Sequence, residues 1–173
     1  MAEDQSTPVG TQPQSPATNS EIPGQGPGIR VVSQYIKDLS FENPGISNAQ
    51  AQPNIDLGID VGATAHAGGQ DLYEVSLRMQ AKALAGEKVL FMLELDYAGL
   101  FQLQNFKNED MEAALLIECP RQIFPFARRI ISDITRDGGF PPLLVDPIDF
   151  RTLYITQKQR QAGAPATPPT ASA

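Results

Sequence analysis

The chain has 173 residues, 41% of them hydrophobic, and a formal net charge of −7. This composition is typical of one globular domain with tails. The acidic balance argues against a nucleic-acid backbone as a ligand, because that binding depends on clustered Lys and Arg. No apolar run approaches the roughly 20 residues that a membrane helix needs. We therefore expect no insertion into membranes. The N-terminus lacks the basic start and apolar stretch of a secretory signal. The single cysteine is compatible with a reducing cytoplasm.

Both ends of the chain have the composition of disordered segments. Residues 1–28 are rich in Pro, Gln, Gly, Ser and Thr, and residues 162–173 consist of Ala, Pro, Thr, Ser and Gly. Such segments bury too little apolar surface to offset the entropy that ordering costs. We therefore predict one folded domain, residues 29–161, between two disordered tails.

The first half of this domain predicts two strands, Ile29–Glu42 and Asn54–Val61. In the second half of the first strand, alternation places Tyr35, Leu39 and Phe41 on one face and Asp38, Ser40 and Glu42 on the other. The second strand alternates aliphatic residues with polar and acidic ones. The small residues of Gly62–Gly69 then predict a loop.

A long hairpin, Asp71–Phe106, follows this loop. Odd positions from Tyr73 to Ala83 are apolar and even positions from Glu74 to Lys82 are polar, which indicates a strand with one buried face. Gly86 predicts the turn, because glycine adopts positive φ without strain. The returning strand carries apolar side chains on both faces, and its second face holds Leu90, Met92, Glu94 and Asp96. Four sequential strands favour an antiparallel sheet, and a hairpin that is apolar on both faces needs more than one partner surface.

The period changes from two to 3.6 after the hairpin. Asn108 is the predicted N-cap of a first helix, and Pro120 suits the first position of a longer one. Pro125 falls inside the longer pattern, so a kink or a late start is expected there. Gly138 and Gly139 end this helix, and Asp149 is the predicted N-cap of a last helix.

Residues for common enzymatic chemistry are scarce. His66 is the only histidine and lies in a Gly/Ala-rich stretch without a nucleophile motif, so solvent exposure without a catalytic role is the expectation. Cys119 is the only cysteine, which excludes an intrachain disulfide, and we expect it to be a small packed residue. One Cys and one His do not form the usual zinc site. We therefore predict no metal or other cofactor.

Five short motifs resemble a known family and occur in its order. They are Lys37-Asp38-Leu39-Ser40-Phe41-Glu42, then Tyr73-Glu74-Val75 with Leu77-Arg78, then Gly99-Leu100-Phe101, then Cys119-Pro120 with Phe124-Pro125-Phe126-Ala127-Arg128, and finally Gly139-Phe140-Pro141-Pro142-Leu143 through Pro147-Ile148-Asp149-Phe150. On these residues the chain resembles SecB, the bacterial protein-export chaperone. The resemblance covers about residues 29–161.

The resemblance implies an α+β fold, with a four-stranded antiparallel sheet and helices packed on one side. It also implies a homotetramer, assembled as a dimer of dimers with helices between the dimers. The implied activity is that of an ATP-independent chaperone and is not enzymatic. It holds secretory precursor proteins unfolded in the cytoplasm and delivers them to the SecA translocase motor.

Two sets of site residues follow from the resemblance. The zinc-binding C-terminal tail of SecA is expected to dock on the outer sheet face at Asp38, Glu42, Met92 and Glu94. Unfolded precursors are expected to bind an apolar groove, for which the candidates are Phe41, Leu90, Phe101, Phe140 and Leu143. Ala51 stands where the family often has Trp, so the groove differs in detail.

Two alternatives stay open at the level of sequence. One is a SecB-like chaperone dedicated to a single partner, such as an antitoxin, and the breadth of its clients would distinguish it. The other is an acyl-binding enzyme of hot-dog type, which would need a carboxylate or His aimed into an apolar tunnel. The apolar helix stripe from Ile123 to Ile134 offers no such residue.

Overall fold

A computed structural model describes residues 26–45 and 53–163, with side chains described as far as Arg160. The strands are β1 (Gly28–Glu42), β2 (Asn54–Ala65), β3 (Leu72–Ala85) and β4 (Lys88–Gln104). The helices are α1 (Asn108–Ala113), a π-helical segment (Ala114–Glu118), α2 (Cys119–Asp137) and α3 (Phe150–Gly163). The regular elements thus begin one residue before and end two residues after the predicted domain. The disorder predicted for the tails falls almost wholly outside the described residues.

The four strands form one antiparallel sheet in the order β1-β4-β3-β2. This confirms the predicted sheet, with the hairpin β3–β4 at its centre and β1 and β2 at its edges. Ala85 pairs with Lys88 across a two-residue turn in which Gly86 has φ 64°. Glycine at this position therefore avoids the strain that a side chain would cause.

The second strand is longer than predicted. Gly62–Ala65 continues β2 and pairs with Ser76, Val75, Glu74 and Tyr73 of β3. The predicted loop over Gly62–Gly69 is therefore wrong in its first half. Small side chains do not prevent strand pairing, because the ladder is formed by the backbone. The loop between β2 and β3 is therefore shorter than predicted and comprises residues 66–71. The His66 amide donates to the Leu72 carbonyl at 2.8 Å.

The two faces of the sheet have different environments. Residues directly opposite each other in an antiparallel pair share a face, and the pairs Leu77–Tyr97, Met79–Leu95 and Ala81–Leu93 are buried under the helices. The opposite face carries Arg78–Asp96 and Gln80–Glu94 instead. We call this second face the outer face.

The helical run is continuous from Asn108 to Asp137, with a π-helical segment directly before Pro120. Two separate helices were expected, because Pro120 suits the first position of a new helix. Proline has no amide hydrogen to donate to the preceding turn, and a wider π turn is one way in which a helix accommodates such a position. Asn108 is already helical and Lys107 occupies the N-cap position, so the predicted N-cap is wrong by one residue.

Both ends of the connection between α2 and α3 have the predicted chemistry. Gly139 has φ 87°, its amide donates to the Arg136 carbonyl, and the Phe140 amide donates to the Thr135 carbonyl. This is a Schellman motif, which ends α2 as expected. Asp149 Oδ1 accepts from the Arg151 amide at 3.0 Å and so caps α3. No helix in the described ranges is long and apolar enough to cross a membrane.

Candidate docking and client surfaces

The four predicted docking residues lie together on the outer face. Glu42 is directly opposite Met92, and Ser40 is directly opposite Glu94, in the β1–β4 ladder. Asp38 is on the same face, opposite Asp96. The carboxylates of Asp38, Glu42 and Glu94 are exposed, while Met92 is half-buried. The arrangement presents three carboxylates near an apolar thioether, with Lys82 of β3 directly opposite Met92 on the other side. Its net negative charge suits a basic partner that also makes an apolar contact.

Neighbouring residues contact two carboxylates of the outer face, those of Glu94 and Asp96. Gln80 Nε2 donates to Glu94 Oε1 at 3.3 Å, and Arg78 Nε lies 3.3 Å from Asp96 Oδ2. A shallow cavity of about 240 Å³ connects Met92 and Glu94 with Asp56 on β2. The outer face is therefore acidic beyond the predicted set. The alternation of β2, with its acidic positions, was the signal for Asp56.

Tyr35 is on the outer face, contrary to the alternation predicted for β1. The ladder shifts by one residue between Ile36, opposite Tyr97, and Asp38, opposite Asp96. This β-bulge reverses the alternation, because the strand contributes two residues where its partner contributes one. The Tyr35 hydroxyl donates to Glu74 Oε2 on β3.

Glu74 receives a second bond on the same face. Lys37 Nζ lies 2.6 Å from Glu74 Oε1. The hydrogen bonds from Lys37 and then Tyr35 lower the pKa of Glu74 below its ordinary value. The bond to Glu74 raises the pKa of Lys37 and also that of Tyr35. The cluster is thus a charged carboxylate with two donors at neutral pH.

Three of the five predicted client residues reach the surface. Phe41 and Phe140 are half-buried and contact Phe91, with ring centroids 5.7 Å apart for Phe41–Phe91 and 5.0 Å for Phe91–Phe140. Leu143 is half-buried, and its amide donates to the buried Thr135 hydroxyl at 2.9 Å. These residues border the end of α2 and the connection that follows it.

The other two predicted client residues lie in the interior. Phe101 is 0% exposed and Leu90 is 6% exposed. A Cβ atom on Gly99 would lie 2.6 Å from the Phe101 ring, so glycine at position 99 makes room for this ring in the core. Neither residue lines a surface in this fold. The sequence suggested both as client residues because apolar alternation alone does not distinguish a groove from a core.

Sequence reasoning missed two apolar residues beside Leu143. Leu144 is 71% exposed and Leu57 lies exposed on β2. Together with Leu143 they line a cavity of about 490 Å³ between β2 and the connection after α2. The signal was the Leu143-Leu144 pair between Pro142 and Pro147. A contiguous patch of exposed apolar residues marks an interaction surface.

Two further apolar surfaces have no partner within the described part of the chain. The free edge of β1 exposes Val31, Val32 and Ile36, and α2 exposes Phe126. An unpaired strand edge with apolar side chains favours pairing with another strand.

The residues weighed for chemistry are in ordinary environments. His66 Nδ1 accepts from the Gly68 amide at 3.1 Å within an exposed loop. Cys119 is fully buried, as predicted, and burial raises the pKa of its thiol to about 12. In residues 26–45 and 53–163, no group of three or more His, Cys, Asp or Glu side chains could hold a metal ion.

Comparison with known proteins identifies the family. The family model described as preprotein translocase subunit SecB matches residues 23–161. The chain belongs to the SecB family. This confirms the recognition from sequence and, with it, the predicted function in protein export.

Curated relatives agree with this family. The protein-export protein SecB of Hyphomonas neptunium is 64% identical over 145 residues, which cover 84% of this chain and 87% of that protein. The protein-export protein SecB of Maricaulis maris is 53% identical over 156 residues, covering 88% of each chain.

A solved structure supports the SecB-like fold. A SecB-like chaperone from Mycobacterium tuberculosis, solved in complex with a peptide from an antitoxin, matches with a TM-score of 0.60 at 13% identity. The match covers 69% of this chain and 90% of that chain. The likeness confirms the predicted sheet with helices on one side. The SecB family is a chaperone family, which points away from the hot-dog enzyme alternative.

Proposed function

We propose that this SecB-family protein holds secretory precursors unfolded in the cytoplasm, without ATP, and delivers them to SecA. The observation that carries the proposal is the common outer face of Asp38, Glu42, Met92 and Glu94. This face lies on the side of the sheet away from the helices, so a docked partner leaves the helical side free. Fixed carboxylates steer a basic, zinc-organised tail toward the sheet and raise its rate of association.

The client surface of the proposal comprises Phe41, Phe140 and Leu143, extended by Leu57 and Leu144. These side chains are half-buried or exposed. Leu57, Leu143 and Leu144 line one cavity beside β2, at one edge of the sheet. Phe41 lies on β1 at the other edge and packs with Phe140 against Phe91. Burial of apolar surface is non-directional, so such a surface accepts many unfolded sequences and rejects folded ones. An exposed strand edge adds backbone pairing to an extended segment.

The proposed assembly is a homotetramer built as a dimer of dimers. Its support is the pair of exposed apolar surfaces, the β1 edge and the face of α2 that carries Phe126. The β1 edges join two chains within a dimer, and the helices lie between dimers. Closed symmetric assembly would bury both surfaces, which a single chain leaves in water.

The docking assignment is tested with the double variant Asp38→Ala, Glu94→Ala. Calorimetric titration with a zinc-loaded SecA tail peptide should show a loss of affinity of at least about tenfold, since two charged contacts are removed. Binding of an unfolded precursor should persist. A matched control is Asp133→Ala with Asp137→Ala, which removes the same charge from α2. Unchanged tail affinity in the docking variant would overturn the assignment.

A dedicated partner remains the second candidate function. The breadth of its clients separates this function from general export. Binding of several unrelated unfolded precursors with similar affinity supports export, whereas binding of one partner alone supports the dedicated chaperone.

A further inference from the structure

Two consecutive residues of β1, Lys37 and Asp38, contribute to the same face of the sheet. Asp38 lies opposite Asp96 on the outer face, and Lys37 is the residue skipped by the ladder at the β-bulge. Lys37 contacts Glu74 of β3. Glu74 lies four residues before Arg78 on the same strand, and since alternate residues of a strand share a face, it is also on the outer face. The bulge therefore brings a cation next to a docking carboxylate, where it would compete with a basic partner.

The Lys37 ammonium is held away from Asp38 by Glu74. Its Nζ lies 2.6 Å from Glu74 Oε1 on β3, and β4 separates β3 from β1. The side chain thus crosses a whole strand, a span of about 10 Å at the usual strand spacing. Tyr35 crosses β4 in the same direction, and its hydroxyl donates to the second oxygen of Glu74. Both carboxylate oxygens are therefore occupied by residues of β1.

Other carboxylates are available to a released ammonium. Asp96 lies opposite Asp38, and its Oδ1 is buried with no hydrogen-bond partner among the described residues. Its Oδ2 forms an ion pair with Arg78, whose Nε lies 3.3 Å away. The charge of Asp96 already acts on Lys37 and helps to raise the pKa of this lysine. Without Glu74, Lys37 would therefore turn toward Asp38 and Asp96.

We propose that Glu74 is a positioning residue of the docking face, which holds Lys37 across the sheet and so keeps Asp38 free for the basic tail of the partner. The inference rests on the proposed docking function of this face. It assigns to Glu74 no contact with the tail itself. Its effect on the affinity for the tail depends on the presence of Lys37.

The test is a double-mutant cycle on the full chain with Glu74→Gln and Lys37→Gln, titrated with the zinc-loaded SecA tail peptide at low salt. Glu74→Gln should lower tail affinity by about threefold to fivefold, the range of an exposed ion pair. In the Lys37→Gln background, the same change should alter affinity by less than about 1.5-fold, because no cation remains to be released. Glu109→Gln, which removes one charge from α1, is the control for net charge.

Each outcome has a distinct meaning. An equal loss in both backgrounds would show that Glu74 acts through its own charge, which overturns the positioning role while docking stands. If the wild-type protein binds no tail, both the docking proposal and the positioning role are overturned. If it binds but neither Asp38→Ala nor Glu94→Gln changes the affinity, the docking residues are wrong, and the positioning role is overturned with them.

A second measurement needs no variant. NMR of the ¹⁵N-labelled lysine ammonium groups should show Lys37 hydrogen-bonded to Glu74 in the free protein and unchanged when the tail peptide binds. Movement of the Lys37 ammonium to Asp38 or to the peptide on binding would contradict the positioning role.

Discussion

Glu42 on β1 lies directly opposite Met92 on β4, on the face of the sheet away from the helices. The pair combines an exposed carboxylate and a half-buried thioether at one end of the acidic outer face. Opposed side chains in an antiparallel pair lie within about 5.5 Å at Cβ, so a partner that contacts one also contacts the other. Charge and apolar contact are thus presented together at the proposed docking site.

The apolar half of this pair gives the first prediction. Met92→Lys should lower the affinity for the zinc-loaded tail peptide by about tenfold or more, because it places a cation opposite Glu42 and removes the apolar contact. Met92→Leu, which conserves volume, is the matched control and should bind within about twofold of wild type. Calorimetric titration measures both. Equal affinity of the Lys and Leu variants would contradict the role of Met92.

The contact between Gly138 and Phe41 gives a second prediction. A Cβ atom at position 138 would lie 2.5 Å from Phe41 Cζ and 3.2 Å from the Ile134 carbonyl. Gly138→Ala should therefore destabilise the fold by about 1–3 kcal/mol, since the ring is fixed by Phe91 and Phe140. Urea unfolding measures the change. Gly58→Ala is the control, because its Cβ would meet nothing closer than 3.9 Å. Equal midpoints for the two variants would count against this packing.

These cases show what the sequence determines and what it leaves open. The period-two pattern of β3 predicted its buried face correctly, because successive side chains point to opposite faces and the apolar ones lie on the face that the helices cover. The alternation failed at Tyr35, since a bulge inserts a residue without a sequence signal. It also failed to separate Phe101 from Phe41. Both are aromatic strand residues, and only the placement of the helices over Gly99 buries one of them.

Thr135 connects α2 to the client surface and gives a third prediction. Its buried hydroxyl donates to the Ile131 carbonyl and accepts from the Leu143 amide, each at 2.9 Å. Thr135→Val should cost about 1–3 kcal/mol, because the Leu143 amide loses its acceptor. Hydrogen exchange should then reveal faster exchange of this amide. Thr135→Ser keeps the hydroxyl and should retain the protection, whereas equal protection in the Val variant would refute this anchoring role.

Burial of Cys119 gives a prediction for pH dependence. Burial, with a smaller contribution from Glu118, raises the pKa of its thiol from 9.0 to about 12. As pH rises above about 9, the unfolded chain loses the thiol proton while the folded chain keeps it, so the free energy of unfolding falls between about pH 9 and 12. In the Cys119→Ala variant, the free energy of unfolding measured with urea should fall less steeply over this pH window. Parallel pH profiles for the two proteins would mean that the thiol ionises equally in both states.

The two unpartnered apolar surfaces predict separable effects on assembly. Phe126→Asp should leave dimers, because it charges the surface proposed between dimers. Ile36→Asp should yield smaller species still, because it charges the β1 edge proposed within each dimer. Gln122→Asp, at an exposed position of the same helix, is a control for added negative charge. Light scattering measures the mass, and a tetramer in both apolar-surface variants would place the interfaces elsewhere.

The most direct test of the export-chaperone account is light scattering after gel filtration, on the protein alone and mixed with a chemically unfolded precursor during refolding. The account predicts a mass near four chains that rises with unfolded precursor, without ATP, and does not rise with folded precursor. A monomer or dimer whose mass ignores unfolded chains would contradict it.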